Sequence, residues 1–227
     1  MTVRGVLVLA AAAALLVAGC GDDSSSETTT SADTTTVRVY LLRDGKVWPV
    51  HREIEENRDL SDSALQALRL GPTDAEQDLS LTTEVPEEES EELSTAALAQ
   101  VVYTLTQFAD ADSAQVAGAT YERSDFEEQT PSVLVESPLA FEEVTSPIMA
   151  TGTANTFEAN FQYELLDADG NVIDENFVTA TSGTGTRGTF EFTTADVDDI
   201  ATLVVFESSA EDGSRMNEVE IPLNAAP

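Results

Sequence analysis

Phe157-Glu158-Ala159-Asn160-Phe161-Gln162-Tyr163-Glu164-Leu165 is the stretch whose reading decides the fold. Phe157, Ala159, Phe161, Tyr163 and Leu165 alternate with Glu158, Asn160, Gln162 and Glu164. Successive side chains of a strand point to opposite faces, so this period of two predicts one long half-buried antiparallel strand. Asp169-Gly170 supplies the residues of a tight turn, and Asn171 to Ala180 is the expected return strand of a hairpin.

Working outward, Ser132–Glu136, Pro147–Ala154, Gly188–Thr193, Ala201–Ser208 and Arg215–Leu223 are further strand candidates, with no convincing helix among them. Seven short strands in about 95 residues predict an all-β sandwich of immunoglobulin type over residues 132–227. The only cysteine of the chain is Cys20. The sandwich core therefore rests on aromatic and aliphatic packing, without a disulfide.

Toward the N-terminus the pattern is mixed. Val37 to Leu42 reads as a strand, Asp44-Gly45 as its turn and Lys46 to His51 as the return. A helix is expected from about Ser61, capped by Ser61 or Asp62, to Leu70, with Ala64, Leu65 and Leu68 on one face and Gly71-Pro72 as its stop. A second helix is expected over about Ser94 to Phe108, where Ala97, Leu98, Val101, Val102, Leu105 and Phe108 recur at helical spacing. Ser113 to Ala119 is a further strand candidate. This mixture predicts a small α+β domain over 37–119. The polar, acidic residues 120–131 read as a linker to the sandwich.

The opening strand with Tyr40, the stretch Ala67-Leu68 through Gly71-Pro72-Thr73, Thr83 to Pro86 and the run Gln100-Val101-Val102-Tyr103-Thr104-Leu105-Thr106-Gln107-Phe108 resemble the GerMN domain of bacterial sporulation and germination proteins. Only the acidic Glu87 to Leu93 stands where that family has further strands, so the resemblance implies an abridged domain. Val135-Glu136-Ser137-Pro138, Gly152-Thr153-Ala154, Phe157-Glu158-Ala159, Thr181-Ser182-Gly183-Thr184-Gly185, Gly188-Thr189-Phe190 and Ser208 to Arg215 resemble the Gmad-type immunoglobulin-like domain of bacterial spore germination. The two resemblances, in this order, imply a germination-type or wall-associated module of the bacterial, particularly actinobacterial, cell envelope.

Residues 1–20 form a candidate address. Arg4 precedes an apolar run from Val6 to Gly19, which is shorter than the roughly 20 residues that a membrane-spanning helix needs and suits a signal peptide. Leu16-Val17-Ala18-Gly19-Cys20 has the lipobox pattern, with Val17, Ala18 and Gly19 as the peptidase motif and Cys20 as the lipidated residue. Residues 21–36 hold ten Ser/Thr and four acidic residues, the composition of a disordered tether with a reach of roughly 20–25 Å. These features predict a protein lipid-anchored through Cys20 to the outer face of the cytoplasmic membrane.

Charge narrows the partners. Lys+Arg number 10 against 43 Asp+Glu, a net charge of −33, which leaves no basic cluster for nucleic acid. Residues 37–128 carry 7 basic and 21 acidic groups, and residues 129–227 carry 2 and 18. So even an acidic coat resembles that of proteins adapted to salt. His51 is the only imidazole and stands after a strand, with no nucleophile motif near it. Asp167-Ala168-Asp169-Gly170-Asn171 begins like a calcium loop, but Val178 stands where the twelfth-position Glu would be, so it reads as a hairpin turn. The Gly/Thr run Thr181–Gly188 lacks the Lys of a phosphate loop and reads as a turning loop, with Arg187 as a candidate partner contact. The acidic run Glu87–Glu92 reads as a solvated face or a docking surface for cationic partners. No cofactor or metal motif emerges. The expected function is a non-catalytic binding or scaffold module for envelope proteins or wall components. A wall hydrolase using paired carboxylates and a purely structural spacer are the alternatives.

Overall fold

A computed structural model describes residues 33–56, 59–88, 92–108 and 113–226. Strands β1 (Thr34–Arg43) and β2 (Lys46–Glu55) form an antiparallel hairpin in which Arg43 faces Lys46 across Asp44-Gly45. Both turn residues have positive φ, the conformation that Asp-Gly supplies most readily. Three strand residues, Thr34 to Thr36, lie in the stretch expected as tether, because Glu53, Ile54 and Glu55 on β2 offer them pairing partners.

Helix α1 (Leu60–Leu70) starts at Asp59, whose carboxylate accepts from the Ser61 and Asp62 amides. The cap thus lies just before the expected Ser61 or Asp62. A short helix α2 (Asp74–Asp78), not expected from the sequence, is closed by a capping box between Thr73 and Glu76. Helix α3 (Thr95–Leu105) is capped by Ser94, whose hydroxyl accepts from the Ala97 amide.

One stripe of α3 performs a task that the apolar spacing does not show. The outer edge of β1 exposes the backbone of Arg38, Tyr40 and Leu42. Gln107 accepts from the Arg38 amide at 2.8 Å, and Thr104 accepts from the Tyr40 amide at 3.1 Å. Gln100 donates to the Tyr40 carbonyl at 2.9 Å, while Leu42 exchanges backbone hydrogen bonds with Thr82. Side chains at i, i+4 and i+7 thereby cover the strand edge that an isolated hairpin would leave open.

Residues 120–131 are not a linker. They complete a hairpin of β3 (Ser113–Val116) and β4 (Ala119–Glu122), then a 3₁₀ segment over Arg123–Gln129. Phe126 is buried with Tyr40, Val102, Tyr103 and Leu134. Tyr121 packs against the same cluster and lies 5.9 Å from the Phe126 ring, so two aromatic residues in a polar stretch pin the segment to a core.

The sandwich comprises β5 (Val133–Ser137), β6 (Glu143–Val144), β7 (Met149–Ala154), β8 (Asn160–Leu166), β9 (Val172–Thr179), β10 (Gly188–Thr193), β11 (Thr202–Ser208), β12 (Arg215–Pro222) and β13 (Asn224–Ala225). One sheet has the order β10-β7-β5 and the other β12-β11-β8-β9, all antiparallel, while β13 and β6 form a short parallel pair. Phe161, Tyr163 and Leu165 point inward as the alternation requires, and Phe161 meets Phe190 edge-on at 4.8 Å. The long strand, however, begins at Asn160 rather than at Phe157. Residues 157–159 form a 3₁₀ turn in which Glu158 and Ala159 have positive φ, and Phe157 is exposed. The loop around Gly183 packs against this turn, with the Thr184 amide donating to the Thr156 carbonyl at 2.9 Å.

The described residues form one compact unit, whose main core runs from Val37, Val39 and Trp48 through Val133 and Phe161 to Ile221. No helix among the described residues is long and apolar enough to cross a membrane.

Candidate functional site

Val17, Ala18, Gly19 and Cys20 lie outside the described residues. Arg187, the candidate partner contact, is turned inward. Its Nη2 and Nε donate to the Glu127 carboxylate at 2.8 and 3.0 Å, and Nη2 also reaches the Pro131 carbonyl at 2.9 Å. Its side chain is 16% exposed. The Glu127 carboxyl is held below its usual value by these Arg187 bonds against an opposing burial effect, with Asn155 as a further donor. Arg187 therefore fastens the 3₁₀ segment to the sandwich, and its guanidinium is engaged rather than offered outward.

His51 sits on β2 opposite Arg38 and is half-buried. Asp167 closes the β8–β9 turn by accepting from the Asp169 and Asn171 amides at 2.9 and 2.8 Å, consistent with the hairpin reading. The Thr181–Gly188 run is a packed loop. Thr184 accepts from the Glu158 amide at 3.0 Å, and the Gly185 amide donates to Asn155 at 2.9 Å. Of the acidic run, Glu87, Glu88 and Glu92 lie among the described residues, and Glu88 lines a groove described below.

The densest polar constellation was not singled out from the sequence. Arg123 donates to Glu136 at 2.9 Å, to the Thr106 hydroxyl at 2.7 Å and to the Tyr103 carbonyl at 3.2 Å. Its guanidinium lies over the Tyr103 and Tyr40 rings at 4.7 and 5.3 Å. Tyr40 donates its hydroxyl to Glu136, and Tyr103 shares a 2.6 Å hydrogen bond with Thr130. Burial alone would raise the Glu136 carboxyl, but Arg123, Tyr40 and Arg38 outweigh it and hold the group below its usual range. Burial, followed by the Glu136 charge, pushes the Tyr40 phenol well above its usual value. This cluster ties β1, α3 and the 3₁₀ segment to β5 of the sandwich. Arg123 stands as a lone cation between Glu122 and Asp125, which was the available signal, but its partners lie 13 to 83 positions away.

The other cations behave alike. Arg52 grips Glu76 through two nitrogens at 2.6 and 2.7 Å, and Arg215 bridges Glu164 and Glu218 at 2.5 and 3.2 Å. Arg43 lies over the Trp48 ring at 5.0 Å, and Lys46 donates to the Glu128 carbonyl. The negative charge is left to the surface. Depressions indent that surface among the described residues. An apolar groove of about 560 Å³ lies among Leu65, Val85, Leu93, Val101, Leu105 and Val116, with Arg69 and Glu88 also lining it. A cleft of about 290 Å³ separates the β1–β2 turn from Pro131 and Asn217. Among the described residues no group of three or more His, Cys, Asp or Glu is placed to hold a metal ion.

The alternation, the two sheets and the inward aromatic residues define the second half as a sandwich, and a comparison with protein families gives it a kind. Residues 132–214 match Gmad2, the immunoglobulin-like domain of bacterial spore germination. This matched stretch runs from the residue before β5 to the residue before β12, so the Gmad2 region and β12 together make the four-stranded sheet. No curated protein and no solved structure matched the chain.

Proposed function

We propose that this chain is a non-catalytic binding or scaffold module of the bacterial cell envelope, anchored by lipid on Cys20 and linked to germination-type or wall-associated processes. The observation that carries the reading is the Gmad2 match over residues 132–214 on a folded sandwich. The GerMN-like reading of residues 37–119 extends it, and the lipobox ending in Cys20 supplies the address. The electrostatics support binding over hydrolysis. A general acid needs a carboxyl raised toward neutrality. Glu136 and Glu76 are instead lowered despite burial, held by Arg123 and Arg52 as structural ion pairs. An acidic face with engaged cations suits a partner that brings its own positive charge.

The test is photocrosslinking in native envelopes, with the crosslinker placed on exposed sandwich residues. The expected result is a discrete protein or wall product. Recovery of bulk lipid and unrelated surface proteins alone would overturn the proposal.

A further inference from the structure

We infer that the outer face of the four-stranded sheet, around Glu164, Glu175 and Phe177, docks a protein segment that presents a lysine or arginine beside an apolar side chain. The inference rests on the binding-module reading above and names the chemistry of its partner.

The strand registers place four residues in one row across this face: Glu220 on β12, Val204 on β11, Glu164 on β8 and Glu175 on β9. Glu164 and Glu175 are directly opposite each other, and like charges in that position repel. Glu164 is only 6% exposed. Its Oε1 accepts from Arg215 at 2.5 Å, while its Oε2 is buried with no hydrogen-bond partner. A buried acceptor without a donor is costly. Arg215 compensates incompletely, because it also serves Glu218 at 3.2 Å and lies over the Phe206 ring at 4.3 Å. Two local rules are thus broken at one spot, and a cation arriving beside the exposed Glu175 would offset the repulsion between the two carboxylates.

Beside that spot lies an apolar handle. Phe177 is two residues beyond Glu175, so it shares the outward face, opposite Gln162, and it is 74% exposed. β9 is also an edge strand of its sheet, the position at which an extended partner can add, and the Asn176 side chain accepts from the Phe177 amide there at 2.9 Å. A second copy of this chain fits poorly, because each copy carries a net charge of −33 and would bring carboxylates against carboxylates. A cationic segment with an apolar neighbour fits both the acidic row and the ring.

The test uses the full-length protein, isotope-labelled for NMR, and two capped pentapeptides: Lys-Phe-Lys-Val-Lys and Glu-Phe-Glu-Val-Glu. The expected result is amide perturbation centred on Glu164, Glu175 and Phe177 with the lysine peptide alone. Glu175→Lys and Phe177→Ser, both at exposed positions, should each weaken binding about tenfold, the scale of one well-placed contact. Glu53→Lys, an equal charge change on β2, should leave affinity within about twofold, as expected for a screened distant charge. Perturbations spread over the whole acidic surface, equal losses in Glu53→Lys and Glu175→Lys, or no binding would each overturn the inference. If envelope crosslinking still recovers a discrete partner in that case, the module reading stands and only this surface falls.

Discussion

A methyl group on Gly152 would fall on the Leu134 carbonyl and against the Phe190 ring. The Gly-Thr-Ala of β7 is therefore a packing requirement, because the backbones of β5 and β7 and an aromatic ring meet there. Gly152→Ala should cost about 1–3 kcal/mol, the usual penalty of overpacking, as read by denaturant midpoint. The Arg123 cluster makes a second prediction. Arg123→Met removes the cation but leaves Glu136 buried, so it should destabilise by about 3 kcal/mol, as breaking a buried pair does. Its pH signature has a definite sign. Glu136, Glu76 and Glu127 have folded values below the usual 4.5, so the stability they supply is present above that pH and is lost as pH falls below it. Arg123→Met should flatten that acid limb. The Tyr40 phenol is raised from the usual 10.0, so its contribution is present below pH 10 and is lost as the solution becomes more alkaline. Thermal unfolding across pH reads both limbs. At this scale the sequence was least legible. Arg187 stood out as a cation in an acidic half, yet its carboxylate partner lies 60 positions earlier, in a stretch that looked like a linker.

At the scale of elements, periodicity carried the reading where burial has one sharp boundary. β8 faces the core with Phe161, Tyr163 and Leu165, and those positions were legible because the residues between them are polar. The alternation overran its strand at Phe157 to Ala159, since positive φ at Glu158 and Ala159 is set by the packed loop around Gly183 and not by local hydropathy. Helix α3 was found from its apolar face. Its other stripe, Gln100 and Thr104, continued by Gln107 in the turn that follows, was invisible to that method, because a polar side chain that serves a strand edge looks like one that meets water. Gln100→Leu would strip the partners from the Tyr40 carbonyl and the Glu84 amide, which Gln100 meets at 2.9 Å each. It should cost about 2–4 kcal/mol, the sum of two orphaned backbone groups at the lower end of the range for each. Measured by hydrogen exchange, the loss should concentrate on β1. If Gln100→Leu proves neutral, the edge-covering role of α3 is wrong.

For the whole molecule, charge decides behaviour in solution and the proposed anchorage decides where the protein works. Arg52, Arg123, Arg187 and Arg215 are taken up by carboxylates of the described unit, so mutual repulsion among the remaining surface carboxylates opposes the folded state until salt screens it. The melting temperature should rise as potassium chloride is increased from tens of millimolar to molar. A flat or falling trend would reject an acidic coat adapted to salt. The proposed function at this scale rests on where the acidic unit is held. The most direct measurement compares wild type with Cys20→Ser by the fraction of protein that sediments with membranes. The account predicts that wild type sediments and that the variant is released to the soluble fraction with its sandwich intact. Unchanged sedimentation of Cys20→Ser would contradict it.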